Sequence, residues 1–194
     1  MSFKIVDVEL YKLPCDSTID DILLTWGIRS NEIGDALKKE PYTHSNSKKA
    51  FQEELHKQLN GCLLRFFISK NPNFLDFSQE YAPDFDLRAD LTMKRPGSDK
   101  KIYIEIEFRD KNHFADIMKF QIGHKNDLEL GILIVPKNKQ NINPRYRTMI
   151  EFNGCKHILG ALKLECPILL IGFDGIWEGE KGHSEGRSSK AENL

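Results

Sequence analysis

Residues 85–108 read FDLRADLTMKRPGSDKKIYIEIEF. Phe85, Leu87, Ala89, Leu91 and Met93 alternate with Asp86, Arg88, Asp90, Thr92 and Lys94; Ile102, Ile104, Ile106 and Phe108 alternate with Tyr103, Glu105, Glu107 and Arg109. A period of two marks strands with one polar face, and Pro96 and Gly97 between them are turn formers. The two strands therefore read as a hairpin. Centring its turn between Gly97 and Ser98 sets Asp90 across from Glu105, with Glu107 two residues on along the same face. Like charges facing each other across a ladder are unfavourable unless a cation neutralises them, and hard oxygen donors at this spacing suit Mg²⁺. The plain alternative is the solvated outer face of an ordinary hairpin.

Downstream, the pattern predicts a helix from Asn112 to about Ile122, then a mostly apolar strand, LELGILIVP, of the kind buried in a sheet centre. A helix carried between strands permits a parallel crossover. Residues 148–163 read as a further helix and CPILLIGF as a last buried strand. Upstream, MSFKIVDVELYKLP is strand-like, with Val6, Val8 and Leu10 alternating with Asp7, Glu9 and Tyr11. Residues 17–40 predict two short helices around a Gly27 turn, opened by Ser17 and Ser30 and closed by Pro41. Within them, LLTWGIRSNEIGDAL looks like a helix-turn-helix. A longer helix from Lys48 to Ser69 carries Phe51, Leu55, Leu59, Leu63 and Phe66 as an apolar stripe, which argues for docking on a sheet. The expected organisation is one domain over residues 1–177 and a flexible arm over 178–194, because the glycine- and serine-rich end has too little apolar surface to fold alone.

The 194 residues carry a net charge of -1, so there is no bulk attraction to nucleic acid or to an anionic membrane. Any such partner must be met by a local patch. One lies in residues 137–147, KNKQNINPRYR, where Lys137, Lys139, Arg145 and Arg147 stand among Asn138, Gln140, Asn141 and Asn143 without an acid. Arginine forks match guanine, amides can pair with adenine and lysine meets phosphate. Lys94, Arg95, Lys100 and Lys101 form a second basic cluster at the hairpin turn. The cysteines, Cys15, Cys62, Cys155 and Cys166, lack C-x-x-C spacing and read as free thiols in a reducing compartment. No apolar run is long enough for a membrane span, so a cytoplasmic protein is expected.

A carboxylate set flanked by basic, amide-rich loops fits hydrolysis of a phosphodiester. An aspartate strand followed by Glu-x-Glu on the next resembles the PD-(D/E)xK nuclease family, with Glu107 where lysine is usual. The succession IEIEFRDKN, helix, HKNDLELGILIVP, CPILLIGF and an arm ending ENL is similar to type II restriction endonucleases over about residues 85–194. The resemblance implies an α/β, restriction-endonuclease-like core with a central mixed sheet flanked by helices. It also implies a homodimer that uses Mg²⁺ to cut double-stranded DNA at a palindrome, GGATCC, after the first G to leave 5′ overhangs, with a cognate DNA methyltransferase as genetic partner.

Carried onto this chain, the resemblance makes Asp90 and Glu105 metal ligands, adds the Ile106 carbonyl and gives Glu107 the part of general base. A further carboxylate is expected upstream; Glu80 is the candidate, with Glu53, Glu54 and Asp86 as alternatives. Asp110, Lys111, Asn112 and His113 would face the inner base pairs. Arg147 or Arg145 would read the outer guanine, although Pro144 and Tyr146 stand where an aspartate should precede it. The arm around Gly182 would enter the minor groove, and helix residues 113–124, with His124 and Lys125 at the end, would help pair two subunits. Two rivals remain. A helix-turn-helix regulator would present Glu32 and Asp35 at the start of its second helix, the wrong sign for a groove-entering end. A nuclease of low sequence preference is the other, since the hairpin is silent on specificity.

Overall fold

The computed structural model describes residues 2–13, 16–39, 41–43, 51–74, 89–108, 113–138 and 151–178. Its strands are β1 (Ser2–Leu13), β2 (Tyr42–Thr43), β3 (Leu91–Lys94), β4 (Lys101–Ile106), β5 (Leu128–Pro136) and β6 (Ile168–Glu178). They form one six-stranded sheet in the order β2-β1-β6-β5-β4-β3. The hairpin register is the expected one: Leu91 pairs with Ile104 and Lys94 with Lys101, antiparallel. Gly97, at φ +71, takes the left-handed conformation this turn needs. β4, β5 and β6 run parallel to one another, and β1 closes antiparallel on β6. β5, the apolar LELGILIVP, thus lies inside the sheet between two parallel neighbours.

Parity along the strands sorts two cores. Ile102, Ile104 and Ile106 of β4, Leu130, Ile132 and Ile134 of β5, and Leu169, Ile171 and Phe173 of β6 point to one side. There α1 (Asp16–Thr25), α2 (Ser30–Lys38) and α3 (Phe51–Lys70) cover them, α3 through Leu55, Leu59, Leu63 and Phe67. On the other side, Tyr103, Leu133, Val135, Ile168 and Leu170 pack under α4 (His113–His124) and α5 (Phe152–Ala161). Two glycines set how closely those helices approach. A Cβ on Gly131 would come within 2.4 Å of the Phe120 ring, and one on Gly172 within 2.4 Å of the Phe152 ring. Only hydrogen at these points lets the aromatic rings approach the sheet so closely. That close seating fixes α4 above the end of β4.

The structure departs from the sequence reading in four places. Val6 is 49 % exposed rather than in phase with Val8 and Leu10, because the β1–β6 ladder shifts between Ile5 and Asp7. The bulge moves the inward parity from Phe3 and Ile5 to Val8 and Leu10. α1 begins at Asp16, so Ser17 lies within its first turn. Arg29, not Ser30, caps α2: the Ser30 hydroxyl donates to Asp20 at 3.0 Å, while Glu32 accepts from the Arg29 N–H at 2.8 Å. Lastly, β3 starts at Leu91, so Ala89 and Asp90 precede the strand instead of belonging to it; the expected run from Phe85 to Arg88 lies outside the described residues.

α2 buries Ile33, Gly34 and Leu37 and packs on β1 and α3. Its Glu32 is held by the Lys70 ammonium at 2.6 Å. Cys62, Cys155 and Cys166 are buried, and burial pushes the Cys155 and Cys166 thiols up to about 12, so both are inert as nucleophiles. Cys15 and residues 179–194 lie outside the described residues. Among the described residues no helix is long and apolar enough to cross a membrane.

Candidate active site

Asp90 immediately precedes β3, so continuing the ladder by one position sets it opposite Glu105, near the carboxyl end of β4. Instead of a backbone pair, the Asp90 carboxylate completes the ladder: its Oδ2 accepts from the Ile106 N–H at 2.8 Å. N–H and C=O of one residue in an extended strand point to the same neighbour. The Ile106 carbonyl is therefore directed to the Asp90 side of β4. The following peptide turns the other way, Glu107 N–H donating to the Ile134 carbonyl at 2.9 Å.

Glu105 shares its side of β4 with Tyr103 and meets α4. Its Oε1 accepts from the Lys119 ammonium, which also lies 3.3 Å from Asp116 one helical turn earlier. Glu105 and Asp116 are buried and Lys119 is partly so: side-chain exposure is 7 % for Glu105, 11 % for Lys119 and 9 % for Asp116. Among the described residues, Asp116 Oδ2 has no hydrogen-bond partner. Burial pushes Glu105 up to about 8, against the pull of Lys119 and with the help of Asp90 and Asp116. Burial likewise raises Asp116. Burial alone would lower Lys119, but Glu105 and then Asp116 more than offset it and hold the ammonium charged.

On the far side of Asp90, His56 of α3 donates from Nε2 to the same Oδ2 at 3.0 Å, and this bond, outweighing burial, raises the His56 pKa.

The sequence reading expected Asp90, Glu105 and Glu107 to converge on one cation. Among the described residues, no three His, Cys, Asp or Glu side chains surround a common point. Glu105 turns to the α4 side, where its Oε1 accepts from the Lys119 ammonium. Asp90 and Glu105 stay neighbours across the ladder, and the Asp90 charge adds to the burial that raises Glu105. His113 opens α4, its Nδ1 buried and without a partner among the described residues. Glu80, Asp110, Lys111, Asn112, Arg145, Arg147 and Gly182 lie outside the described residues.

Reading from sequence missed His56, Asp116 and Lys119. The last two carried a signal, since an acid and a lysine three apart flank Ile117 on the face that α4 buries.

The pH dependence follows from these groups. Glu105, Asp116 and His56 all have folded pKa values above their ordinary ones, so the stability they contribute is present at low pH and lost as pH rises through those values. For Glu105 the window runs from its ordinary 4.5 to about 8. Unfolding by urea in a chelator should therefore show stability falling by a few kcal/mol across that window, and Glu105→Gln should flatten the fall. An unchanged slope in the variant would mean that Glu105 does not titrate there.

The fold is similar to that in the crystal structure of free BglII, with a TM-score of 0.50 and 12 % identity over 91 % of this chain and 82 % of that one. No curated protein matches the chain. Sheet and family together define a type II site-specific deoxyribonuclease, a hydrolase that binds double-stranded DNA. The chain belongs to the restriction endonuclease BglII/BglIII family, whose model matches residues 17–173.

Enzymes of this family generally use divalent metal ions. The donor set fits such an ion. Two carboxylates and a strand-end carbonyl are hard oxygen donors, and the cluster holds an orphaned acidic oxygen at Asp116 and a glutamate that burial keeps from ionising freely.

Proposed function

We propose that this nuclease is a homodimeric, Mg²⁺-dependent, cytoplasmic endonuclease that cuts GGATCC after the first G and leaves 5′ overhangs, paired with a DNA methyltransferase that protects the same site. The specificity rests on sequence likeness: the hairpin and the strands after it resemble BamHI and its shorter isoschizomer OkrAI. The observation that supports catalysis at this place is the in-register hairpin that brings Asp90 beside Glu105 at the end of β4. A two-fold protein suits a two-fold site, presenting one centre to each strand.

In this reading Asp90, Glu105 and the Ile106 carbonyl hold the cation, with Glu80 as a further carboxylate. Bound there, it would supply Lewis-acid stabilisation to the phosphate. Glu107, whose backbone is pinned to β5, accepts the proton of the attacking water. Lys119, hydrogen-bonded to Glu105, holds that side chain in place beside the proposed site. Because Glu105 must give up its proton to become a ligand, affinity for the cation strengthens as pH rises toward about 8.

Asp110, Lys111 and Asn112, which precede α4 in the sequence, and His113 at its start face the bases, and Arg147 or Arg145 reads the outer guanine. The arm around Gly182 lies in the minor groove, and the expected arm of residues 178–194 is shortened by Glu178, which closes β6 opposite Ser2. α4, with His124, helps pair the subunits. The regulator reading loses support from α2, whose Ile33, Gly34 and Leu37 are spent on packing and whose leading end carries Glu32.

Digesting DNA of known sequence with Mg²⁺ tests the reading. Discrete fragments ending in 5′-GATC are expected; a smear would mean low specificity, and intact DNA would remove the catalytic reading. Binding should also weaken steeply with salt despite the net charge of -1, as phosphate counterions are displaced. Arg147→Ala should cost about 1–3 kcal/mol on the specific site and much less on random DNA. Equal losses on both, measured by gel shift at fixed salt, would make Arg147 a phosphate contact, and a selective loss confined to Arg145→Ala would exchange their roles.

A further inference from the structure

The contacts of Asp90 are uneven. Both hydrogen bonds that reach its carboxylate from described residues fall on Oδ2, one from the Ile106 N–H at 2.8 Å and one from His56 Nε2 at 3.0 Å. None from a described residue falls on Oδ1. His56 comes from α3, on the face of the sheet opposite Lys119, and its ring is set edge-on to Phe108, 6.4 Å between centroids. Asn60, one turn along α3, places its Nδ2 3.4 Å from His56 Nδ1.

Asn60 suits the ring in either protonation state. With Nδ1 bare, the amide nitrogen donates to it. With Nδ1 protonated, the amide turned over offers Oδ1, an atom that is buried and has no partner among the described residues. In both states the Nε2–H stays on Asp90, because an ionised carboxylate can only accept. The contact therefore does not depend on titration of the ring.

We propose that His56, steadied by Asn60, is the positioning residue of Asp90: it occupies Oδ2 and leaves Oδ1 to the divalent cation. Ligand carboxylates depend on such outer partners for orientation, and losing one typically costs 10–100-fold in metal affinity. The proposal rests on Asp90 being a metal ligand, so the test carries a control for that reading.

Mn²⁺ binding to the full chain without DNA, followed by calorimetry from the metal-free protein, gives a readout apart from cleavage. His56→Ala should bind Mn²⁺ roughly 10-fold or more weakly. His56→Gln, whose amide N–H can reach the same oxygen, should stay within a few-fold of wild type, and Asn60→Ala should fall between them. Thermal unfolding of each metal-free variant separates positioning from packing: a structural role lowers Tm in His56→Ala and His56→Gln alike without the graded loss of affinity.

Wild-type affinity in His56→Ala, or equal losses in the alanine and glutamine variants, would overturn the proposal. Asp90→Asn runs beside them. If it loses Mn²⁺ while His56→Ala does not, the His56 proposal fails alone; if Asp90→Asn binds Mn²⁺ normally, the metal reading of Asp90 falls and the proposal with it.

Discussion

Glu105→Ala should lose cleavage by roughly 10³-fold or more, about 4 kcal/mol of transition-state stabilisation, while the protein still binds its DNA. The two effects separate because they have different sources. Glu105 is buried at the end of β4 and, in the proposed reading, holds the cation. Affinity for the duplex comes instead from basic side chains and phosphate contacts, which the substitution leaves in place. Removing a carboxylate from beside the phosphate also relieves repulsion, so binding should be unchanged or tighter. Cutting rate and gel-shift affinity measured on one preparation decide the matter, and near-normal turnover would leave Glu105 only a structural part as the buried partner of Lys119. Asp90→Ala should behave in the same way. Glu107→Gln should keep the cation but turn over slowly, because only the proton acceptor is changed.

The hairpin was legible in the sequence for a simple reason. Its information is local: a strict period of two, a turn marked by Pro96 and Gly97, and a register that follows from counting outward. The parallel order of β4, β5 and β6 was half legible, since the helix between β4 and β5 permits a crossover and the apolar run of β5 demands cover on both faces. What the sequence could not give is the company the carboxylates keep. His56 reaches Asp90 across 34 positions, and Lys119 reaches Glu105 from a helix whose seating depends on Gly131 lying under Phe120. Such contacts follow from docking of α3 and α4 on opposite faces, which no spacing within either segment encodes. The misplaced Val6 has the same origin, since a bulge is a property of the β1–β6 pair and not of β1.

Lys119→Met should destabilise the metal-free protein by about 3–5 kcal/mol above pH 8, the usual cost of removing one partner from a buried ion pair. Methionine keeps the length and apolar stem of lysine, so packing of α4 is little changed and the loss reports charge. Glu105 and Asp116, nearly enclosed and already raised by burial, would face each other without a counterion. They can escape the penalty by taking up protons. The variant should therefore recover much of its stability below about pH 6, and the difference from wild type should widen as pH rises. Adding Glu105→Gln to Lys119→Met should cost less than the sum of the two single changes, because the second removes the charge that the first left unpaired. Urea unfolding of the four proteins in chelator at pH 6 and pH 9 closes this cycle. Equal losses for Lys119→Met at both pH values, with additive energies in the double variant, would show that Lys119 acts by packing, and Glu105 would then need another source for the charge that balances it.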